Sequence, residues 1–312
     1  MTQPLTEMGR ALSLPGSNPV LQAHPKLTFA KGGYTYTIET NAGHSTYTVS
    51  DGTRTISLPI LWSFGAGAQT WVLQRGDQLY ESLVSYYPAI HGLDITTGDE
   101  RMTPNTLDAA MGRPMTQQNA KACFGCHTTG AISQDKLDFQ SMKPGVGCEH
   151  CHLGANQHMA DIFEGQEDSI PPDLSKLTSG HISDFCGQCH RTWELVVRSR
   201  WQGEATVRFQ PYRLENSKCF NATDSRIGCI ACHNPHQQVV RKASFYDAKC
   251  LACHSPSMHR ASVPSANRSK SCPVAKSNCV SCHMPKVNML GGHLTFTDHD
   301  IRIVKPGEPY PN

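Results

Sequence analysis

The sequence is short of the apolar residues that fill an ordinary core. They make up 38% of the 312 residues, below the usual range for a globular protein. Charged residues are also scarce, at 17%, and the formal net charge is +2. There is no basic run suited to nucleic acid, so that class of partner is not expected. No stretch approaches the ~20 apolar residues of a membrane-spanning helix. The start, Met1-Thr2-Gln3-Pro4-Leu5, lacks the basic residues and apolar run of a secretory leader. Export is therefore expected to depend on a signal outside this numbering or on a longer precursor. What is abundant is histidine, with 16 residues, and cysteine, with 14.

Twelve of the cysteines fall in one pentad, Cys-x-x-Cys-His, repeated six times. The copies place cysteines at Cys123 and Cys126, Cys148 and Cys151, Cys186 and Cys189, Cys229 and Cys232, Cys250 and Cys253, and Cys279 and Cys282. The histidines that follow are His127, His152, His190, His233, His254 and His283. Two cysteines so spaced can form thioether bonds to the two vinyl groups of one haem, and the adjacent histidine can bind the iron. Cys-x-x-Cys alone also occurs in zinc, redox and iron–sulfur sites. A histidine after all six pairs by chance has a probability on the order of 10⁻⁸, so the fifth position decides. Zinc sites would leave these histidines unexplained. The motif starts are separated by 25, 38, 43, 21 and 29 residues, without the regular pairing of zinc knuckles. The expectation is six covalently bound haem c groups. Their flat apolar faces would supply much of the missing core, so the second half is expected to be unfolded without them. With twelve propionates counted, the holoprotein charge becomes about −4 oxidised and about −10 reduced.

Cys219 and Cys272 remain, an even number that permits one disulfide. Haem attachment and disulfides both belong outside the cytoplasm. The expected location is periplasmic or extracellular. The alternative for these two residues is a pair of unrelated buried thiols.

Residues 1–23, broken by Pro4, Pro15, Gly16 and Pro19, read as an extended arm. Residues 24–105 read as β-rich. Tyr34, Tyr36 and Ile38 alternate with Thr35, Thr37 and Glu39, and Tyr47 and Val49 continue the period of a half-buried strand. Asp51-Gly52 is a hairpin signal, and Pro59 is read as a strand end. A small antiparallel domain of five or six strands is expected, with its aromatic residues as core or docking face. Residues 106–312 form the haem region, read as irregular and mostly α-helical. A short helix is expected at Leu107–Met111, one capped by Thr116 and carrying Cys123, and one opened by Ser183 and continuing to about Arg200. The fold class is thus α+β, with a small β-domain followed by a mostly helical haem domain.

Ten histidines lie outside the motifs, enough to give all six irons a second imidazole. Such closed irons suit electron transfer, whereas an open iron can bind substrate. Pro235 holds His236 an extended step from His233, so His236 is expected to reach a neighbouring iron. His299, in Thr297-Asp298-His299, has a hydroxyl and a carboxylate nearby to orient it. His158, His293, His24 and His181 complete the expected set, with His91 and His259 competing for the last places. His44 is read as solvated and His150 as a filler residue.

The haem region, roughly residues 120–305, resembles the multihaem cytochrome c superfamily that includes cytochrome c nitrite reductase, hydroxylamine oxidoreductase and tetrahaem carriers. The resemblance lies in Cys229-Ile230-Ala231-Cys232-His233-Asn234-Pro235-His236, in Cys148–His158 and in Cys279–His299. It implies that His236 and His299 are distal ligands, and that haems pair in alternating parallel and near-perpendicular contact. The sequence departs from the nitrite reductases, which place lysine at the catalytic iron; here all six motifs end in histidine. The crosslinking tyrosine of hydroxylamine oxidoreductase is not identifiable. Tyr212 and Arg213, before Cys219, could line an open haem, but an exposed salt-bridging role is the preferred reading. The function expected is a single-electron relay between a redox protein donor and acceptor. Self-assembly into a filament or oligomer, or docking on a membrane-bound redox complex, is left open. The rival is a reductase or oxidase of a small nitrogen or sulfur compound at one open haem, so no catalytic residue is assigned.

Overall fold

The computed structural model describes residues 2–165, 173–255, 272, 274–289, 291, 293–305, 307–308 and 310–311. His259 lies outside them. The chain divides into two compact units. The first holds residues 1–172 with 236–238 and 290–294; the second holds 173–235, 239–289 and 295–312. This differs from the boundary expected after residue 105, because the first two haem motifs belong with the β-structure.

Ten strands lie in the first 114 residues: β1 (Leu12–Ser13), β2 (Lys26–Lys31), β3 (Tyr34–Asn41), β4 (His44–Ser50), β5 (Thr55–Phe64), β6 (Thr70–Arg75), β7 (Gln78–Ser82), β8 (Val84–Tyr87), β9 (Gly92–Ile95) and β10 (Gly112–Pro114). Seven of them form one curled antiparallel sheet in the order β10-β7-β6-β5-β4-β3-β2, and β1 adds to β5. β8 and β9 make a separate hairpin. The alternation fixes which face is buried. Tyr36, Ile38, Tyr47 and Val49 point inward with Trp71 and Leu73, and all belong to one apolar cluster. The β3–β4 turn is Ala42-Gly43, both at positive φ; this is the backbone of a two-residue hairpin turn whose twist matches the strands.

The sheet is larger than the small domain expected, for three local reasons. β5 does not stop at Pro59. That residue pairs with Thr46 where β5 is leaving β4, and from Ile60 the strand pairs with β6 instead, across a bulge; a missing N–H costs little there. Leu12 and Ser13, in the Pro-broken segment, pair with Phe64 and Ser63. Gly112–Pro114 pairs with Tyr80–Ser82. Gly112 has φ +151°, and an added Cβ would lie 2.1 Å from the Glu81 carbonyl oxygen, so only glycine fits this edge.

The first 23 residues are not an extended arm. Asn18 accepts a hydrogen bond from Leu21 N at 3.0 Å and caps helix α1 (Pro19–Ala23). Leu12 and Leu21 are buried. Proline breaks the periodicity of such a stretch but does not stop single leucines from anchoring it.

The expectation of a mostly α-helical second domain is also overturned. Short helices do occur: α2 (Leu107–Met111), α3 (Gln117–His127), α4 (Cys148–Cys151), α5 (Ala155–Phe163), α6 (Ser179–His190), α7 (Trp193–Arg198), α8 (Gln210–Glu215), α9 (Cys229–Cys232), α10 (Asp247–His254) and α11 (Cys279–His283). Between them lie loops and two-stranded ribbons, among them Thr128–Thr129 with Lys143–Pro144 and Lys286–Met289 with Leu294–Thr297. The motif helices end with the motif: their C-caps are Thr128, His152, Arg191, His233, Ser255 and Met284. The third-motif helix illustrates this. It starts earlier than Ser183, where the Thr178 side chain caps it, and stops at His190 because Arg191 takes φ +73°. Thr192 then caps a new helix, with Leu195 N donating to its hydroxyl at 3.2 Å.

Candidate haem-binding sites

All six pentads fold as helical turns. In a helix, residues three apart share a face, so each turn presents its two cysteines side by side with the histidine at the helix end. α3, α6, α10 and α11 end on the motif histidine; in α4 and α9 it follows directly as the cap. Thr116 caps α3 as expected, accepting from Asn119 N at 3.1 Å. Among the described residues no group of three or more His, Cys, Asp or Glu side chains gathers into a metal-ion cage.

The motif histidines are oriented by backbone. His127 Nδ1 lies 2.9 Å from the Ala11 carbonyl oxygen, and His283 Nδ1 lies 2.9 Å from that of Arg302. A carbonyl only accepts, so the proton must sit on Nδ1 and the lone pair on Nε2, the tautomer a metal needs. His233 Nδ1 faces the Tyr246 hydroxyl at 3.4 Å, and burial pushes the His233 pKa down.

Two outside histidines meet motif histidines. The His236 ring stands 5.9 Å from the His152 ring with 16° between the planes. The His299 ring stands 6.2 Å from the His233 ring at 47°. Two metal–nitrogen bonds of about 2 Å plus two ring radii of about 1.1 Å give about 6.2 Å, so both separations match the span of a bis-histidine iron, although the small angle marks His152 and His236 as stacked rings. His299 Nδ1 donates to the Thr297 carbonyl at 2.9 Å, again leaving Nε2 for a metal. Burial lowers its pKa to about 4, so it is neutral at physiological pH, as a ligand must be.

The other expected ligands are placed differently among the described residues. His24 follows α1 and contacts the Tyr86 hydroxyl at 3.2 Å. His293 contacts the Asp94 carboxylate at 2.8 Å, with its ring 5.2 Å from Tyr87. His181 lies in the first turn of α6, its Nδ1 3.2 Å from Thr178 Oγ1. His158 lies on α5 with a buried Nδ1 that has no hydrogen-bond partner, the kind of atom a bound group or water would satisfy.

Within the second unit the motifs come in pairs. α6 packs against α9 and α10 against α11, which brings the Cys186 thiol beside that of Cys229 and the Cys250 thiol beside that of Cys279. In the first unit, Phe124 is buried in an apolar cluster with Leu12, Phe64 and Met115, and Cys123 packs on it. Phe64 also meets the His127 ring edge-on at 4.9 Å. A cavity of about 430 Å³ is lined by Gly125, Thr128, Ile132, Glu149, Leu153 and neighbouring residues, between the first and second motifs. Cys219 and Cys272 are unbonded here, the first half-buried and the second exposed.

Arg213 corrects a sequence expectation. It is not exposed but 1% accessible. Its Nε donates to Asp298 Oδ1 at 2.9 Å and a terminal nitrogen donates to Oδ2 at 3.0 Å. Asp298 therefore does not orient the His299 ring directly; Thr297 does. Nothing in the local sequence around Arg213 signals this, because its partner lies far along the chain. No helix among the described residues is long and apolar enough to cross a membrane.

Residues 89–153 match the family described as cytochrome c554 and c-prime. The matched stretch contains the first two motifs together with β9, α2 and β10 ahead of them. No match was found among curated proteins or among solved structures. The family match, together with the motif turns, supports a c-type cytochrome of the multihaem kind, with covalently bound haem and a role in electron transfer.

Proposed function

We propose that this chain is an extracytoplasmic hexahaem c-type cytochrome that relays single electrons along closely spaced haems. The observation that carries the reading is the repetition of one helical turn six times, with a second imidazole ring about 6 Å from two of the motif histidine rings. Haem supplies a reversible one-electron iron couple; the polypeptide sets spacing, ligands and local charge. The paired cysteines supply attachment. Backbone carbonyls at His127 and His283 fix the ligating tautomer. His236 would be the second ligand to a haem iron at the second motif and His299 to one at the fourth, and ligands there would keep substrate and water away from both. The third and fourth motifs lie against each other, as do the fifth and sixth, so haems attached there would be neighbours. Donor and acceptor are redox proteins; a second copy of the chain or a membrane-bound redox complex fits the same role.

The test is the mass of the denatured, purified protein with its ferric EPR spectrum. Six haem masses above the bare polypeptide and low-spin signals are expected. A bare-chain mass would end the reading. A high-spin component that shifts with nitrite or hydroxylamine would replace the relay with a reductase.

A further inference from the structure

The group of charges behind His299 is more than a surface ion pair. Asp298 is wholly inaccessible and is held by Arg213 from one side and by Arg302 at 2.6 Å from the other. Its Oδ1 also accepts from Asp300 N at 3.1 Å. Arg213 reaches the Asp300 carboxylate at 3.4 Å, and its guanidinium lies 4.6 Å from the Tyr310 ring. Ser217 completes the clamp. Its hydroxyl donates to the His299 carbonyl at 3.0 Å and accepts from Ile301 N at 2.7 Å. The backbone on both sides of His299 is thus tied to α8 and the turn after it. α8 in turn packs against α6, the helix of the third motif.

A buried ion pair is a poor source of stability, since apolar residues of similar volume often serve as well or better. What a bidentate guanidinium–carboxylate pair adds is direction. We propose that Arg213 is a positioning residue: through Asp298 it fixes His299 opposite His233 and so sets the spin state and reduction potential of the iron between them. The inference rests on the reading of His299 as a ligand.

Four variants of the holoprotein separate the two ideas. Arg213→Gln leaves a buried carboxylate short of a partner and risks misfolding. The paired variant Arg213→Met with Asp298→Leu removes both charges and keeps the volume, so it retains the fold. Arg213→Lys keeps the charge and loses the fork. His299→Ala removes the imidazole itself. Haem content comes from the mass, coordination from ferric EPR, and potentials from a spectroelectrochemical titration. The paired variant is expected to keep its full haem content while one haem equivalent becomes high-spin or shifts in potential; Lys is expected to restore part of the change. If the paired variant matches the parent in every signal while His299→Ala does not, the positioning role is overturned. If His299→Ala also matches the parent, the ligand assignment itself fails.

Discussion

At the residue scale, a side chain can take up the backbone donors that a tight turn leaves without partners. Asp51 shows this in the β4–β5 turn. It accepts from the Thr53 hydroxyl at 2.7 Å, from Arg54 N at 2.7 Å and from Thr53 N at 3.0 Å. These bonds, the Thr53 hydroxyl first, hold its pKa well below the ordinary carboxylate value. A depressed folded pKa contributes stability that is complete above the unfolded value of about 3.9 and is lost as pH falls through the folded one. Asp51→Asn is therefore expected to melt lower than the parent at pH 7, with the gap closing below about pH 3. Thermal melts at the two pH values check it, and a gap independent of pH would reject it. Phe124 tests packing at the first motif. It is fully buried and touches Phe64, Trp62 and Phe139 edge-on at 5.0 to 5.1 Å. Phe124→Ala should cost roughly 3–5 kcal/mol, read from denaturant unfolding of the first unit.

At the element scale, the alternation in β3 and β4 was legible because a strand's two faces are written in adjacent residues. The ends of the sheet were not. β1 and β10 contain two and three residues, too few for any period, and they exist because β5 and β7 offer them open edges. The expected stop at Pro59 failed for the same reason: the strand changes partner there. Gly112 is the place to test the added edge. Gly112→Val places a Cβ against the Glu81 carbonyl at a φ unfavourable for L residues, and a loss of roughly 2–4 kcal/mol is expected. Hydrogen exchange should show the loss first along β7 and β10; unchanged protection there would contradict the account. The helices of the motifs were equally legible, since Thr116 and Leu107–Met111 carry their own start signals. The length of the third-motif helix was not, because a left-handed Arg191 leaves no mark in the sequence.

For the whole molecule, both apolar clusters of buried residues lie in the first unit. The second unit buries Ile182, Val196, Val207, Phe209 and Leu214, without a cluster of that kind among its described residues. Haem bound at its four motifs, as proposed, would supply the apolar surface it lacks. Protein made without haem attachment is expected to keep the protected β-sheet of residues 26–114 while the described residues of the second unit exchange freely. Hydrogen exchange by mass spectrometry on the haem-free chain tests this; strong protection across the second unit would refute it.

The sequence by itself determined the attachment chemistry. Two thioether positions and a ligand fit within five consecutive residues, so nothing distant is needed to place them. It also determined the strands whose faces alternate over several residues. Only the tertiary structure decided which second histidine meets which motif: His236 stands over His152 and His299 over His233, whereas His24 and His293 turn to Tyr86 and Asp94. It also decided that Arg213 is buried against Asp298. The physical reason is common to both. A distal ligand or buried ion pair is made by closing a long loop, and residues far apart in the chain carry no record in their neighbours of where that closure brings them.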